Sequence, residues 1–251
     1  MHRAILFRYH KRPDICRNRI ALLRRLNPGM AIYGMYGGSL LSPPVLPLNH
    51  NYKLPFASAR YKWQHGDLCA RQWFIDCGHR FSFDMLHIVE WDMVYLQPIN
   101  ILFRGIRDGV SETNIKSIHA WRALNWYWIY TPEGDARLQT LRAYVRKKHG
   151  RTFEDANQLA AFFPGASLSR AFLERYAEDD PPALLNDEIR TPLFAQAYGM
   201  KVHDTQLHMN NPYADCYKRR FPKSASIEAF SKYKMLHHMT AKIDIPPKYP
   251  D

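Results

Sequence analysis

Phe83-Asp84-Met85-Leu86-His87-Ile88-Val89-Glu90-Trp91-Asp92-Met93-Val94-Tyr95-Leu96 is an apolar run with two acidic side chains set into it. Met85, Leu86, Ile88, Val89, Met93, Val94 and Leu96 are apolar on both alternating faces and β-branched at several points, as in a buried central strand. Glu90 and Asp92 interrupt it. If the strand runs through them, residues two apart face the same way, and the two carboxylates project side by side with Trp91 opposite. Two carboxylates at the end of a buried strand are costly unless a cation compensates them, and a divalent metal is the compensation that also does chemistry. The alternative is a strand that ends at a solvated acidic turn, with a second strand over Met93 to Leu96; an E-x-D pattern is too short to choose between them.

Upstream, Ala4-Ile5-Leu6-Phe7 reads as a short buried strand followed by a polar, basic loop from Arg8 to Asp14. Pro13 suits a first helical turn, and Ile15, Ile20, Leu22, Leu23 and Leu26 recur at helical spacing until Asn27-Pro28-Gly29. A second strand is predicted over Met30 to Tyr36, ending in Gly37-Gly38, where the backbone can turn sharply or approach a ligand. This strand-helix-strand unit has the length of a parallel crossover, and ligands of open α/β sheets sit outside the carboxyl ends of the strands. Arg8, Tyr9, His10 and Lys11 are thereby expected at the ligand edge, unless the basic segment is only a surface loop. Ser39 to Pro55 is proline-rich and reads as an irregular excursion; Tyr61 to Gly78 reads as a helix carrying Asp67.

Downstream, Ile115 to Tyr130 is densely aromatic, with Trp121, Trp126, Tyr127, Trp128 and Tyr130, and is expected to pack in the core, although such rings also stack sugars or bases. Asp135 to His149 is a basic amphipathic helix, and Arg151 to Phe163 a second helical segment. Ser169 is placed to cap a helix over Ala171 to Ala177. Leu184 to Pro192 opens a further helix that ends near Gly199, with Asn186 or Asp187 at its start, where acidic residues favour the helix dipole. The tail is polar, basic and aromatic and carries Met235-Leu236-His237-His238-Met239-Thr240-Ala241-Lys242.

With 251 residues, 46% of them apolar and 14% aromatic, the chain can bury a large core. Thirty-five Lys and Arg against 23 Asp and Glu leave +12, which favours an anionic partner: nucleic acid, a phosphorylated small molecule or an anionic membrane surface. Cys16, Cys69, Cys77 and Cys216 show no C-x-x-C and no paired Cys/His spacing, which argues against zinc and for a reduced, cytosolic protein. No signal-peptide core follows Met1-His2-Arg3, and no window approaches the roughly 18 apolar residues of a membrane span, so a soluble or peripheral protein is expected.

In order of parts, the chain from Ala4 to Lys242 resembles a glycosyltransferase of the GT-A fold, the nucleotide-diphospho-sugar transferase superfamily, and is similar to its inverting, family-two-like bacterial members. Four landmarks carry the resemblance. They are the strand, basic loop and helix of Ala4 to Leu26; Ile88-Val89-Glu90-Trp91-Asp92 in the place of a D-x-D motif; Phe163 to Arg170 followed by Asn186-Asp187-Glu188-Ile189-Arg190; and His237-His238-Met239-Thr240-Ala241-Lys242. Glu90 departs from the motif's first aspartate.

The resemblance implies an α/β fold, one domain over residues 1–251 with a mostly parallel central sheet between helical layers. Residues 1–110 would form the nucleotide-sugar half, 111–242 the acceptor half and 243–251 a tail. It implies transfer of a sugar from a nucleotide-diphosphate donor, with a UDP-sugar as the guess, to a hydroxyl on a glycan, a lipid-linked glycan or a protein. Mn2+ or Mg2+ would be held by Asp92, Glu90 and His237 or His238, and the donor by Arg8, Tyr9, His10, Asp67, Glu90 and Lys242. Asp187 or Glu188 would be the general base of an inverting reaction, in an enzyme of polysaccharide biosynthesis located in the cytoplasm or at the inner membrane face. Two alternatives come from other classes. A nucleic-acid-binding or RNA-processing protein would use the +12 charge, but no binding module or basic arm is present and no nucleic acid is expected. A nucleotidyltransferase would need a glycine-rich, lysine-containing loop after the first strand, and Arg8 to Pro13 has no glycine.

Overall fold

The computed structural model of the chain describes residues 1–39, 41–207, 234–237, 239–240 and 242–243. β1 (Arg3–Tyr9), α1 (Pro13–Leu26), β2 (Ala31–Tyr36) and β3 (His50–Lys53) lead into α2 (Ala59–Gln64), α3 (Gly66–Asp76) and β4 (Met85–Glu90). β5 (Met93–Tyr95) and α4 (Ile99–Leu102) precede β6 (Val110–Ser117), α5 (Ile118–Ala123), α6 (Tyr127–Tyr130) and α7 (Pro132–His149). After them come β7 (Leu159–Ser169), α8 (Arg170–Glu178), α9 (Asp187–Ala197), β8 (Val202–Asp204) and β9 (Met235–His237).

Among the described residues, seven strands form one sheet in the order β3-β2-β1-β4-β7-β6-β8, parallel throughout except where β7 runs against β4 and β6. One face packs on α3, α7, α8 and α9 through Trp73, Leu138, Leu141, Phe172, Ile189 and Phe194. The other packs on α1 and on a separate antiparallel ribbon of β5 and β9, through Ile15, Ile20, Leu23, Met93, Tyr95 and Met235. The α/β class expected from the sequence, a mostly parallel sheet between two covering layers, is what the chain forms. No helix among the described residues is long and apolar enough to cross a membrane.

α1 starts at Pro13 as predicted, with Asp14 in its first turn and Arg24 and Arg25 in its last, the arrangement that suits the helix dipole. Ser169 caps α8 by accepting a hydrogen bond from the Phe172 N–H at 3.2 Å. His87, the one polar residue inside the apolar part of β4, is fully buried. Arg3 donates to its Nε2 at 2.9 Å, so its Nδ1 carries the proton and donates to Ser167 at 2.6 Å; burial, then Arg3, holds its pKa well below the usual value.

Several elements differ from the sequence reading. The proline-rich excursion contains β3, which pairs in parallel with β2. The helix expected over Tyr61 to Gly78 is two helices that meet at His65. The second helical segment expected within Arg151 to Phe163 does not form: its end belongs to β7, an eleven-residue strand in the middle of the sheet. Leu159 to Phe163 is apolar without a period, and pairing with β4 and β6 decides its conformation. The aromatic segment also divides, since Trp121 is 4% exposed whereas Tyr127 is 70% and Tyr130 62% exposed, against the expectation of a core.

Candidate functional site

β1 and β4 lie side by side and in register, with Arg8 opposite Glu90. Across that register the Arg8 guanidinium donates to Glu90 Oε1 at 2.8 Å, and its other nitrogen donates to the Lys62 carbonyl at 2.9 Å. β4 stops at Glu90; Trp91 and Asp92 form a turn, and β5 begins at Met93. The backbone therefore follows the second of the two readings open from the sequence, a strand that ends and restarts. The carboxylates nevertheless converge, because the turn, rather than a shared strand face, aims Asp92 back toward Glu90.

The late histidine arrives through the ribbon. His237 on β9 pairs with Met93 on β5, next to Asp92, and Glu90, Asp92 and His237 each offer a ligand atom within 4.8 Å of the others. His237 Nε2 lies 3.6 Å from Glu90 Oε2. Among the described residues this is the group of acidic and imidazole side chains able to hold a metal ion. Two carboxylates and one imidazole form a mixed oxygen and nitrogen donor set that fits Mn2+ and, with fewer protein ligands, Mg2+. His238 lies outside the described residues.

α1 holds this strap in place. Arg19, 1% exposed, donates to the Met239 carbonyl at 2.9 Å, while Asn18 exchanges hydrogen bonds with the Ile243 backbone at 2.8 and 2.9 Å. The Met239 N–H donates to the Asp92 carbonyl at 2.7 Å. Burial lowers the Arg19 pKa to about 10, and the Asp92 charge opposes that fall. Arg19 was legible in principle: it sits four residues after Ile15 and four before Leu23, inside the apolar stripe of α1.

The acidic pair at the start of α9 splits into two environments. Asp187 is 5% exposed, and its oxygens accept from the Gly66 N–H at 2.8 Å and the Glu188 N–H at 3.0 Å. A Cβ at Gly66 would overlap Arg8 Nη1 and Asp187 Oδ2, so a glycine is required where α3, β1 and α9 meet. Burial, then Asp67 and Glu188, pushes the Asp187 pKa well up. Glu188 is half-buried and accepts from Asn186 at 2.7 Å. Burial raises its pKa to about 7, with hydrogen bonds from Asn186, the Phe163 backbone and Trp128 lowering it and the Glu90 charge raising it.

The other candidates fall in different surroundings. Asp67, expected at the donor, is fully buried: both of its oxygens are held by Arg190, and Tyr176 donates to it at 2.6 Å. It anchors α3 to α9 in the interior of the protein. Tyr9 closes β1 rather than opening a loop; it is 2% exposed and donates to Asn51 at 2.8 Å. His10 is exposed, its ring edge-on to Trp91 at 5.5 Å, with Lys11 Nζ 5.0 Å from the Trp91 ring. Burial, then Lys11, lowers the His10 pKa while Asp92 and Glu90 oppose the fall. Lys242 is exposed on the strap beside the Ile243 anchor.

The Asp67–Arg190 pair has no solvent to replace a lost partner. Arg190→Ala is expected to cost about 3–5 kcal/mol of stability in denaturant unfolding, because it leaves Asp67 buried and uncompensated. Glu112 on β6 is a second buried acid, at 0% exposure, that the sequence did not signal. Burial, then the charges of Asp187, Glu188 and Asp67, raises its pKa well above 4.5, with the Thr191 hydroxyl pulling the other way. The folded state thus keeps a proton that the unfolded chain releases, and stability is lost as pH rises from the unfolded value toward the folded one. Glu112→Gln should therefore stabilise the protein progressively with pH, by up to about 1.4 kcal/mol per unit above the unfolded pKa, in melts recorded as a pH series.

No protein-family model matches the chain, and no curated protein matches it in sequence. Many solved structures share its chain path in part, among them the following three. WbbM, a bifunctional glycosyltransferase in apo form, is 12% identical with a TM-score of 0.47, over 94% of this chain and 45% of that one. Apo mouse xyloside xylosyltransferase 1 is 11% identical with a TM-score of 0.41, over 94% and 97%. The glycosyltransferase GlyE of Streptococcus pneumoniae TIGR4 is 11% identical with a TM-score of 0.40, over 96% and 55%. The chain thus spans about half the length of the first and third.

Proposed function

We propose that this chain is a metal-dependent, inverting glycosyltransferase that moves a sugar from a nucleotide diphosphate, a UDP-sugar being the first donor to test, to an acceptor hydroxyl. The observation that carries this reading is the convergence of Glu90, Asp92 and His237 at the carboxyl end of β4, with the half-buried Glu188 carboxylate close enough to feel Glu90. A bound Mn2+ or Mg2+ supplies charge stabilisation to the departing diphosphate.

Asp92 and His237 are the ligands in this reading, and Glu90 divides its carboxylate between the ion and Arg8. Arg8 fixes the Glu90 rotamer and adds positive charge beside the diphosphate. His10, Lys11 and Trp91 form a cationic and aromatic corner for the nucleotide end. Glu188 is the base rather than Asp187, since it is the less buried of the two and a pKa of about 7 suits it to take up a proton. The acceptor oxygen forms its bond to the sugar carbon as the carbon–phosphate oxygen bond breaks. The bonding pair leaves with the diphosphate, and the hydroxyl proton passes to Glu188 Oε, in a single displacement that inverts the sugar carbon.

Calorimetric titration of UDP, GDP and CDP into the protein, with MnCl2 and with EDTA, tests the reading. Binding of a nucleoside diphosphate that depends on Mn2+ is the expected result. Equal affinity in Mn2+ and EDTA for every nucleotide would overturn it.

A further inference from the structure

The chain exposes large aromatic side chains at Trp63 and Tyr127, both beside Trp128, which packs on the core and is partly exposed. Trp63 is 67% exposed on α2, a six-residue helix without a single buried side chain. Tyr61 of this helix packs on the core whereas Trp63 does not, so the place of Trp63 is explained by what it presents. Across from it lies the half-buried Trp128 of α6, with ring centroids 6.0 Å apart and planes splayed by 47°. Tyr127 sits edge-on to Trp128 at 5.5 Å. By contrast, Trp121 and Trp126 stack at 4.5 Å and turn toward Phe162 in the interior.

The exposed Trp63 and the half-buried Trp128 are tied to the site separately. Lys62, the residue before Trp63, accepts from Arg8, whose other nitrogen holds Glu90. Trp128 lies close enough to Glu188 to lower the pKa of its carboxyl. The aromatic face is therefore continuous with the cleft wall that carries Glu188.

We infer that Trp63 and Trp128 form an acceptor subsite that stacks a pyranose ring, so that the hydroxyl acceptor is a saccharide. This rests on the sugar-transfer reading. A pyranose has an apolar C–H face and an edge of hydroxyls, and an indole offers dispersion contact to the first and an N–H donor to the second. A sugar ring seated on Trp128 brings its own hydroxyls to Glu188, which neither an aliphatic lipid chain nor a membrane surface does. Splayed rings also suit a ring held on one face and open on the other to the rest of a glycan.

The test uses the whole chain and a panel of methyl pyranosides and trisaccharides of glucose, galactose and N-acetylglucosamine, followed by tryptophan fluorescence and saturation-transfer NMR. A serine-containing peptide and vesicles of phosphatidylcholine with phosphatidylglycerol serve as the other classes of occupant. Saturable binding of at least one saccharide is expected, weakened about 10-fold or more by Trp63→Ala and largely restored by Trp63→Phe. Mn2+-dependent UDP binding by Trp63→Ala should match that of the unsubstituted chain, which shows that the variant is folded. The inference is overturned if no saccharide binds, if Trp63→Ala binds as well as Trp63, or if only peptide or vesicles depend on Trp63. Saccharide binding without any metal-dependent nucleotide binding would leave the subsite standing and sink the transferase reading instead.

Discussion

Asp92→Ala is expected to lower Mn2+-dependent affinity for UDP by about 10²-fold or more, since it removes one of two carboxylates from a three-residue donor set. The fold should survive the change. The turn keeps its Asp92 backbone carbonyl, which accepts from Met239, while the buried Arg19 loses the Asp92 charge that opposes its desolvation, so a lower melting temperature with the fold retained is expected. Calorimetry in Mn2+ and in EDTA, run beside a thermal melt, separates the two. A variant that still binds UDP tightly only when Mn2+ is present would show that Asp92 is no ligand, and the metal assignment would fall. Glu90 is a poorer choice for this test, because its removal also frees Arg8 from its 2.8 Å partner and changes the charge beside the diphosphate.

Glu188→Gln is expected to slow transfer by about 10²- to 10⁴-fold while leaving metal-dependent nucleotide binding in place. The amide keeps the size of the side chain and its contact with Asn186 but cannot take the acceptor proton. The pH dependence supplies a second readout. With a pKa of about 7, Glu188 is protonated and idle in acid, so kcat should climb as pH rises through that value and level off above it. The variant should lose that limb. Asp187→Asn has a different expected signature, a loss of stability, because Asp187 ties the start of α9 to Gly66. If Asp187→Asn abolishes the rising limb and Glu188→Gln retains it, the two roles are reversed.

Much of this protein was legible in its residues. The apolar run before Glu90 specified a buried strand, and Met85 to Val89 are buried on both faces. Pro13, the period of Ile15 to Leu26 and Asn27 specified α1 and its ends, and with them the crossover that sets β1 and β2 in parallel. The acids, Arg8 and the late histidine were identifiable by type and order. Their convergence was not. Arg8 meets Glu90 because two strands far apart in sequence align in register, and His237 reaches Asp92 because β9 pairs with β5 under the hold of Arg19 and Asn18. The same limit misplaced Asp67 and Tyr9, whose polar groups found partners in Arg190 and Asn51 inside the protein. It also hid β7, whose residues carry no period of their own. Sequence determined those elements that carry a period or a stop signal of their own, such as α1 and β4, and which chemical groups the chain carries, because periodicity and local backbone preference act over a few residues. Only the tertiary structure decided that Asp67 and Asp187 are buried and Glu188 less so, because burial and charge environment are set by neighbours that the chain brings from afar.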